Sequence, residues 1–349
     1  MNITQPERRI EAQVADLCSP ACAGRRPGTA GGREARRLVT AALRDAGLDP
    51  FEQAVPACGG ANVLATVPGD VDRWIVVGAH FDHLGQDGSV VYHGADDNAA
   101  AVAVLLEVAR ALRGERAGRG LIIAAFDGEE PPFFHTGAMG SQAFVAAPPV
   151  GRGAIDFMVC MDLVGHRLGS ALVPDDVGQT LFALGAERSR GTLELVRGLR
   201  RATPGLVVRA ADADIIPPLS DYDPFWRARI PFLFLTAGRS RVYHTAADTP
   251  ELLDLAKIAA TAGWLTGLVR TLRQRDVPLT WDDAGSADAA TLDEIGDLLD
   301  ALAAVSADAR AARGQVDGLR RACDRAGRLP ARQRHLLGAL VASLEARLA

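Results

Sequence analysis

Chemistry in this chain gathers where apolar runs end. Residues 74–85, WIVVGAHFDHLG, close an apolar stretch on His80 and Asp82, two residues apart and so on one face of an extended strand. His80 can bind a metal through one ring nitrogen while Asp82 holds the other N–H, fixing tautomer and ring orientation. Residues 93–101, HGADDNAAA, open a helix with Asp96, Asp97 and Asn98. One acid there serves as a cap, but two adjacent aspartates exceed a cap's needs, and a carboxylate close to His80 can bridge two cations. Residues 121–130, LIIAAFDGEE, run a buried strand into Asp127, Glu129 and Glu130, a crowding of charge that calls for cations or water. Adjacent glutamates point different ways, so one can ligate metal while the other acts as general base. Residues 157–165, FMVCMDLVG, end a further apolar strand at Asp162; in 241–253, RVYHTAADTPELL, Tyr243 and His244 precede an ordinary helix start.

Together His80, Asp97, Glu130, Asp162 and His244 supply two nitrogens and three carboxylates. Two Zn2+ fit by charge, because with one bridging hydroxide the shell sums to neutral and Glu129 stays free to accept a proton. Mg2+ and Ca2+ suit two imidazoles poorly, whereas Mn2+ or Co2+ can substitute.

The elements that must position these residues are legible as well. Apolar runs at 62–67, 74–79, 121–126, 157–161, 206–209 and 231–236 read as strands, and amphipathic segments at 98–112, 140–145, 191–201 and 252–272 read as helices. Ahead of them, 10–47 reads as helix, Gly/Pro-rich turn and helix. Buried strands alternating with helices predict an α/β fold, a three-layer αβα sandwich with a mostly parallel mixed sheet whose ligands gather at the strands' carboxyl ends. After Arg275 the strand signal stops. Residues 1–275 are expected to form the catalytic domain and 276–349 an all-α C-terminal extension, with acids before 308 and arginines after 310 facing each other across antiparallel helices. The extension either packs on the core or offers a homodimer contact.

Composition narrows the partners. The chain has 349 residues, 48% hydrophobic and 23% charged, with net charge -5, which suits a soluble protein and gives no field for nucleic acid or an anionic membrane. No apolar run approaches the ~20 residues of a membrane span, and the first thirty residues lack a secretory apolar region, so the expected compartment is cytoplasmic. Five scattered cysteines fit reduced thiols, with Cys18 and Cys22 as core residues on one helical turn.

The strings GAHFDHLG, GADDN, FDGEE, MDLVG, SDYDPFWRARIPFLFLT and YHTAADTPE, in this order, resemble the M28 family of co-catalytic zinc peptidases, whose relatives include glutaminyl cyclases. The likeness covers about residues 20–270, including GRRPGT at 24–29. It implies that His80 and Asp162 hold one zinc, Glu130 and His244 the other, and that Asp97 bridges them. It further implies that Glu129 is the general base for a metal-bridging hydroxide, that Asp82 orients His80, and that Tyr243 donates to the oxyanion. The implied activity is release of the N-terminal residue, an apolar one, from peptides with a free amine.

Three departures from the family pattern bear on substrate. PPFFHTGAM, 131–139, is a longer loop, expected to bring Phe133, Phe134 and His135 to the substrate pocket. GADDN continues in alanines, which affects helix packing, and Tyr222 stands where many relatives carry His, so Asp221 and Tyr222 are expected to shape the pocket differently. His83, His93 and His166 read as supporting residues and His335 as solvated. A glutaminyl-peptide cyclase using one zinc is the alternative enzyme, and a catalytically silent peptide-binding module the alternative class.

Overall fold

The computed structural model describes residues 3–116, 118–276 and 279–349. Among the described residues ten strands are formed: β1 (Phe51–Val55), β2 (Gly60–Val67), β3 (Val71–His80), the short pair β4 (Gln86–Asp87) and β5 (Val90–Val91), β6 (Arg119–Phe126), β7 (Ile155–Met161), β8 (Thr180–Leu184), β9 (Val207–Ala211) and β10 (Phe232–Thr236). Eight of them make one sheet in the order β1-β2-β6-β3-β7-β10-β8-β9. The central strands β6, β3, β7 and β10 are mutually parallel, as are β8 and β9; β1·β2, β2·β6 and β10·β8 are antiparallel. The expected α/β architecture with a mixed sheet is therefore present.

Strand periodicity decides the two faces. Ile75, Val77 and Ala79 of β3, with Leu121, Ile123 and Ala125 of β6, pack into one core, and the intervening Val76, Ile122, Ala124 and Phe126 into another. The first core is covered by α1 (Gln5–Leu17), α2 (Ala30–Asp45), α3 (Ala100–Leu112), α6 (Thr192–Gly198) and α8 (Leu255–Arg273); the second is covered by α4 (Gly140–Ala146) and α7 (Asp223–Arg227). A one-turn helix, α5 (Asp175–Gly178), precedes β8. Cys18 and Cys22 are buried free thiols, as expected, but they lie in the turns that follow α1 rather than on one helical turn. Two strands of the large sheet have no counterpart in the sequence reading. β1 is largely exposed, so alternation is weak, and β8 is only five residues long, held by pairing to β9 and β10.

The boundary expected after Arg275 lies just beyond α8, next to residues 277 and 278, which are outside the described residues. Three helices follow: α9 (Asp288–Leu302), α10 (Ala307–Ala322) and α11 (Ala331–Leu348). Their apolar faces form a third core with Leu168, Val177 and Ala237. α9 and α10 lie antiparallel, with Arg313 on Asp300 and Arg320 on Asp293, matching the charge segregation. Arg334 of α11 binds Asp212, Asp214 and Asp288, and the Asp212 carboxylate also accepts from the Ala287 N–H, so the helices are keyed to the end of β9. No helix among the described residues is long and apolar enough to cross a membrane.

Candidate metal centre and active site

The four parallel central strands end along one edge, at His80, Phe126, Met161 and Thr236, and the acids that follow are delivered there together. His80 is the last residue of β3 and is fully buried. After β6 the chain turns through Gly128 (φ +73), where a side chain would also meet Cys58, and presents Glu129 and Glu130. The Asp82 carboxylate holds that turn, accepting from the N–H groups of Glu129 and Glu130 at 3.1 Å each. The expected partner of its carboxylate, His80 Nδ1, is 3.7 Å away, whereas the Asp82 carbonyl oxygen is 3.3 Å from that nitrogen. Asp82 thus acts on the glutamate turn more directly than on the histidine.

Asp97 lies in a kink rather than a helical turn, with φ -109 and ψ 85 ahead of α3. Neither aspartate caps α3: Asp96 accepts from the Gly165 N–H and faces His166 Nδ1 at 2.6 Å, and Ala99 occupies the N-cap. The kink is held from three directions. Asp248 accepts from the N–H groups of Asp96 and Asp97, Asn98 donates to the Met161 carbonyl, and the buried Arg25 guanidinium donates to the carbonyls of Leu17, Phe81, His93, Gly94 and Asp97. His244 sits in a left-handed backbone conformation (φ +56), a geometry uncommon outside glycine and concentrated at functional sites.

The result is one cluster in two halves that share Asp97. Asp97 Oδ1 and Asp162 Oδ1 each lie 3.5 Å from His80 Nε2. The other oxygen, Asp97 Oδ2, lies 3.1 Å from His244 Nε2, which is 3.1 Å from Glu130 Oε2 as well. His83 joins this half, its Nδ1 2.7 Å from Glu130 Oε1. His80, Asp97 and Asp162 form one group whose ligand atoms lie within 4.8 Å of one another, and His83, Asp97 and Glu130 a second. Glu129 Oε2 faces the first half, 3.7 Å from His80 Nε2. Buried His80 Nε2 and Asp162 Oδ1 have no hydrogen-bond partner, the condition of atoms built to ligate.

Electrostatics agrees with the division. Burial, then the neighbouring Glu130, push the Asp97 carboxyl up to about 7 against the hydrogen bond from His244. Burial also lifts Glu129 well above the carboxylate range; His80 opposes this, while Asp162 and Glu130 reinforce it. Burial alone would raise Glu130, but His244 and His83 hold it well below that range. His244, which burial would lower, is raised to about 10 by its bonds to Asp97 and Glu130. Perturbation of this kind in a cleft marks a functional site.

A cavity of about 430 Å³ opens on this cluster, touching Glu129, Glu130, Asp162, Tyr243 and His244. Tyr243 stacks on the His244 ring at 3.9 Å, and burial beside four acids raises its pKa, keeping the phenol a donor. Phe134 lines the cavity; Phe133 is half-buried in the same loop without lining it, and His135 is exposed, 3.5 Å from Asp223. Asp221 and Tyr222 also stand behind the wall rather than on it. Tyr222 stacks between Phe232, Phe234 and Trp226, its hydroxyl donating to the Pro217 carbonyl, so aromatic packing draws it into the second core. Asp221 is fully buried and raised to about 7 mainly by burial, with His80 and a hydrogen bond from Ser141 opposing the rise. Sequence reasoning passed over Arg25 and Asp248, whose only signals were membership of GRRPGT and AADTP, whereas His83, read as a supporting residue, is found against Glu130. His335 is exposed, as expected.

Several known proteins are similar to this chain. The uncharacterized protein YfbL of Escherichia coli is 29% identical over 229 residues, 59% of this chain and 70% of that one. A glutaminyl-peptide cyclotransferase of Boiga irregularis is 27% identical over 56% of this chain and 60% of its own length. The LapA aminopeptidase of Legionella pneumophila shares the fold, with TM-score 0.65 at 18% identity over 78% of this chain and 73% of that one. The sequence model of Peptidase family M28 matches residues 62–268, more than half of the chain and the stretch that carries every member of the histidine and carboxylate cluster. With that span matched and the cluster assembled at the strand ends, the chain belongs to peptidase family M28.

Proposed function

We propose that this chain is a co-catalytic di-zinc aminopeptidase. The observation that carries the reading is the sharing of Asp97, whose two oxygens face His80 with Asp162 on one side and His244 with Glu130 on the other. Two imidazoles with three carboxylates suit zinc, and the buried atoms without partners fit the need for a ligand. His80, Asp97 and Asp162 would hold one ion, and Asp97, Glu130 and His244 the other, with His83 bracing Glu130 from behind. When bound, the pair supplies Lewis acidity that polarises the scissile carbonyl and acidifies water.

The chain's own groups do the rest. Glu129, with its carboxyl lifted well above the carboxylate range by burial, takes a proton from the attacking water and returns it to the leaving amine. Tyr243, at the cavity rim, donates to the carbonyl oxygen as charge develops there. The acidic cluster faces the substrate's free ammonium, which confines cleavage to the first residue. Asp82 holds the backbone of Glu129 and Glu130 and so keeps base and ligand apart.

Zinc-loaded protein is expected to release amine from aminoacyl anilides and dipeptides with two zinc ions per chain by metal analysis. Inactivity across such a panel at full loading rules the reading out. A second reading, cyclisation of N-terminal glutamine, draws on the cyclotransferase relative. One zinc per chain, with ammonia released from Gln-peptides, would favour it.

A further inference from the structure

The cavity on the cluster is not walled by the family region alone. That region ends at residue 268, yet Ile295 and Leu298 of α9 and Val341 and Leu344 of α11 line the same cavity, together with Phe134 and Ile215. The wall is tied to the loop that carries Tyr243 and His244. Glu345 of α11 accepts from Arg239 Nε at 3.0 Å and from Nη2 at 2.9 Å, while the Gly169 N–H, on the loop after β7, donates to the Leu348 carbonyl at 2.7 Å. Glu294, the one acid that α9 adds to the lining, is engaged by Arg209 and Arg200 at 3.0 Å each, so the wall offers apolar surface rather than free charge.

Volume then selects the occupant. An apolar cavity of about 150 Å³ already holds a benzene ring. The 430 Å³ here would be left mostly unfilled by an alanyl side chain, and a ring or long aliphatic chain would fill it much better. We propose that α9 and α11 form the specificity wall of the substrate pocket, which takes peptides whose N-terminal residue bears a bulky aromatic or long apolar side chain. This rests on the aminopeptidase reading for its chemistry, and on the packing of the C-terminal helices for its selectivity. Ile295, Leu298, Val341 and Leu344 act here as specificity residues, without touching the reacting atoms.

The test compares kcat/KM for Phe- and Ala-p-nitroanilide in wild type, Leu344→Trp, Val341→Phe and Leu336→Trp. Leu344 and Val341 are half-buried, so a larger side chain there fills the cavity with limited strain; Leu336 is on the same helix outside it and serves as control. Because one methylene in an apolar pocket is worth roughly 10–200-fold, wild type is expected to prefer Phe at least about tenfold. Leu344→Trp and Val341→Phe should collapse that ratio and Leu336→Trp should keep it. Calorimetric titration of the same zinc-loaded proteins with L-phenylalanine and L-alanine reads the preference without turnover. Cleavage with an unchanged Phe/Ala ratio in both cavity variants, or a wild-type preference for Ala, overturns the wall and leaves the aminopeptidase intact. If no anilide is cleaved, the aminopeptidase reading falls, and a calorimetric preference for L-phenylalanine that both cavity variants lose still supports the wall; its absence overturns it.

Discussion

Asp97 is the residue on which the site turns, because one short side chain faces both halves of the cluster. Glu129 is the acid aimed at the first half without being its obvious ligand, and Glu129→Gln keeps its shape while removing its proton affinity. We expect kcat to fall by about 10²–10⁴ with zinc content unchanged, measured by turnover and metal analysis on one preparation. Asp221 offers a separate test. Its carboxyl is raised to about 7, as is that of Asp97, so the metal-free folded state keeps protons that the unfolded chain releases above about pH 4. The contribution of these two groups to the stability of the metal-free protein is therefore full below about pH 4 and declines as pH rises toward 7. Asp221→Asn should flatten that decline and raise the melting temperature at pH 8; an unchanged slope in thermal melts from pH 5 to 8 would show that Asp221 does not hold its proton.

Among the elements, the parallel strands bring the ligands to one edge, and a segment far away in sequence fixes the loop between them. Arg25 precedes α2, yet its guanidinium spans five carbonyls around the kink that carries Asp97. Lysine keeps the charge but has no planar fork to reach them all. Carbonyls left unsatisfied in a buried site cost about 1–3 kcal/mol each, and groups that orient ligands change metal affinity about 10–100-fold. Arg25→Lys is accordingly expected to weaken zinc binding about tenfold or more, read by chelator competition, and to lower the melting temperature. Zinc affinity equal to wild type would reduce Arg25 to a purely structural part.

At the scale of the whole molecule, the C-terminal helices are held by ions at their edges and by apolar packing beneath. Arg334 is the main ionic key, serving Asp212 and Asp288, both buried, as well as the half-exposed Asp214. Breaking a buried pair costs more than the pair contributes, because a carboxylate is left uncompensated. Allowing for the partial exposure of the arginine, Arg334→Met should cost about 2 kcal/mol in urea denaturation. It should also loosen the α11 wall and so narrow the Phe/Ala preference. The net charge of -5 reads differently at this scale too: Asp82, Asp97, Glu129, Glu130 and Asp162 concentrate acid in one cleft, where bound cations would offset it.

Much of the site was legible in the chain because its signals are local. An apolar run ending in His or Asp states both the strand and the ligand, and alternation along β3 and β6 assigns side chains to two faces without reference to any partner. The family strings carried the order of ligands in the same way. Contacts made across the fold carried no such signal. The attachment of Asp82 to the glutamate turn, the reach of Arg25, the withdrawal of Tyr222 into an aromatic stack and the β8 pairing all join segments distant in sequence. So does the wall from α9 and α11, whose leucines read only as helical spacing. Period and residue type determine what each element can offer; the direction in which packed elements face one another determines which offers meet, and only the tertiary structure decides that.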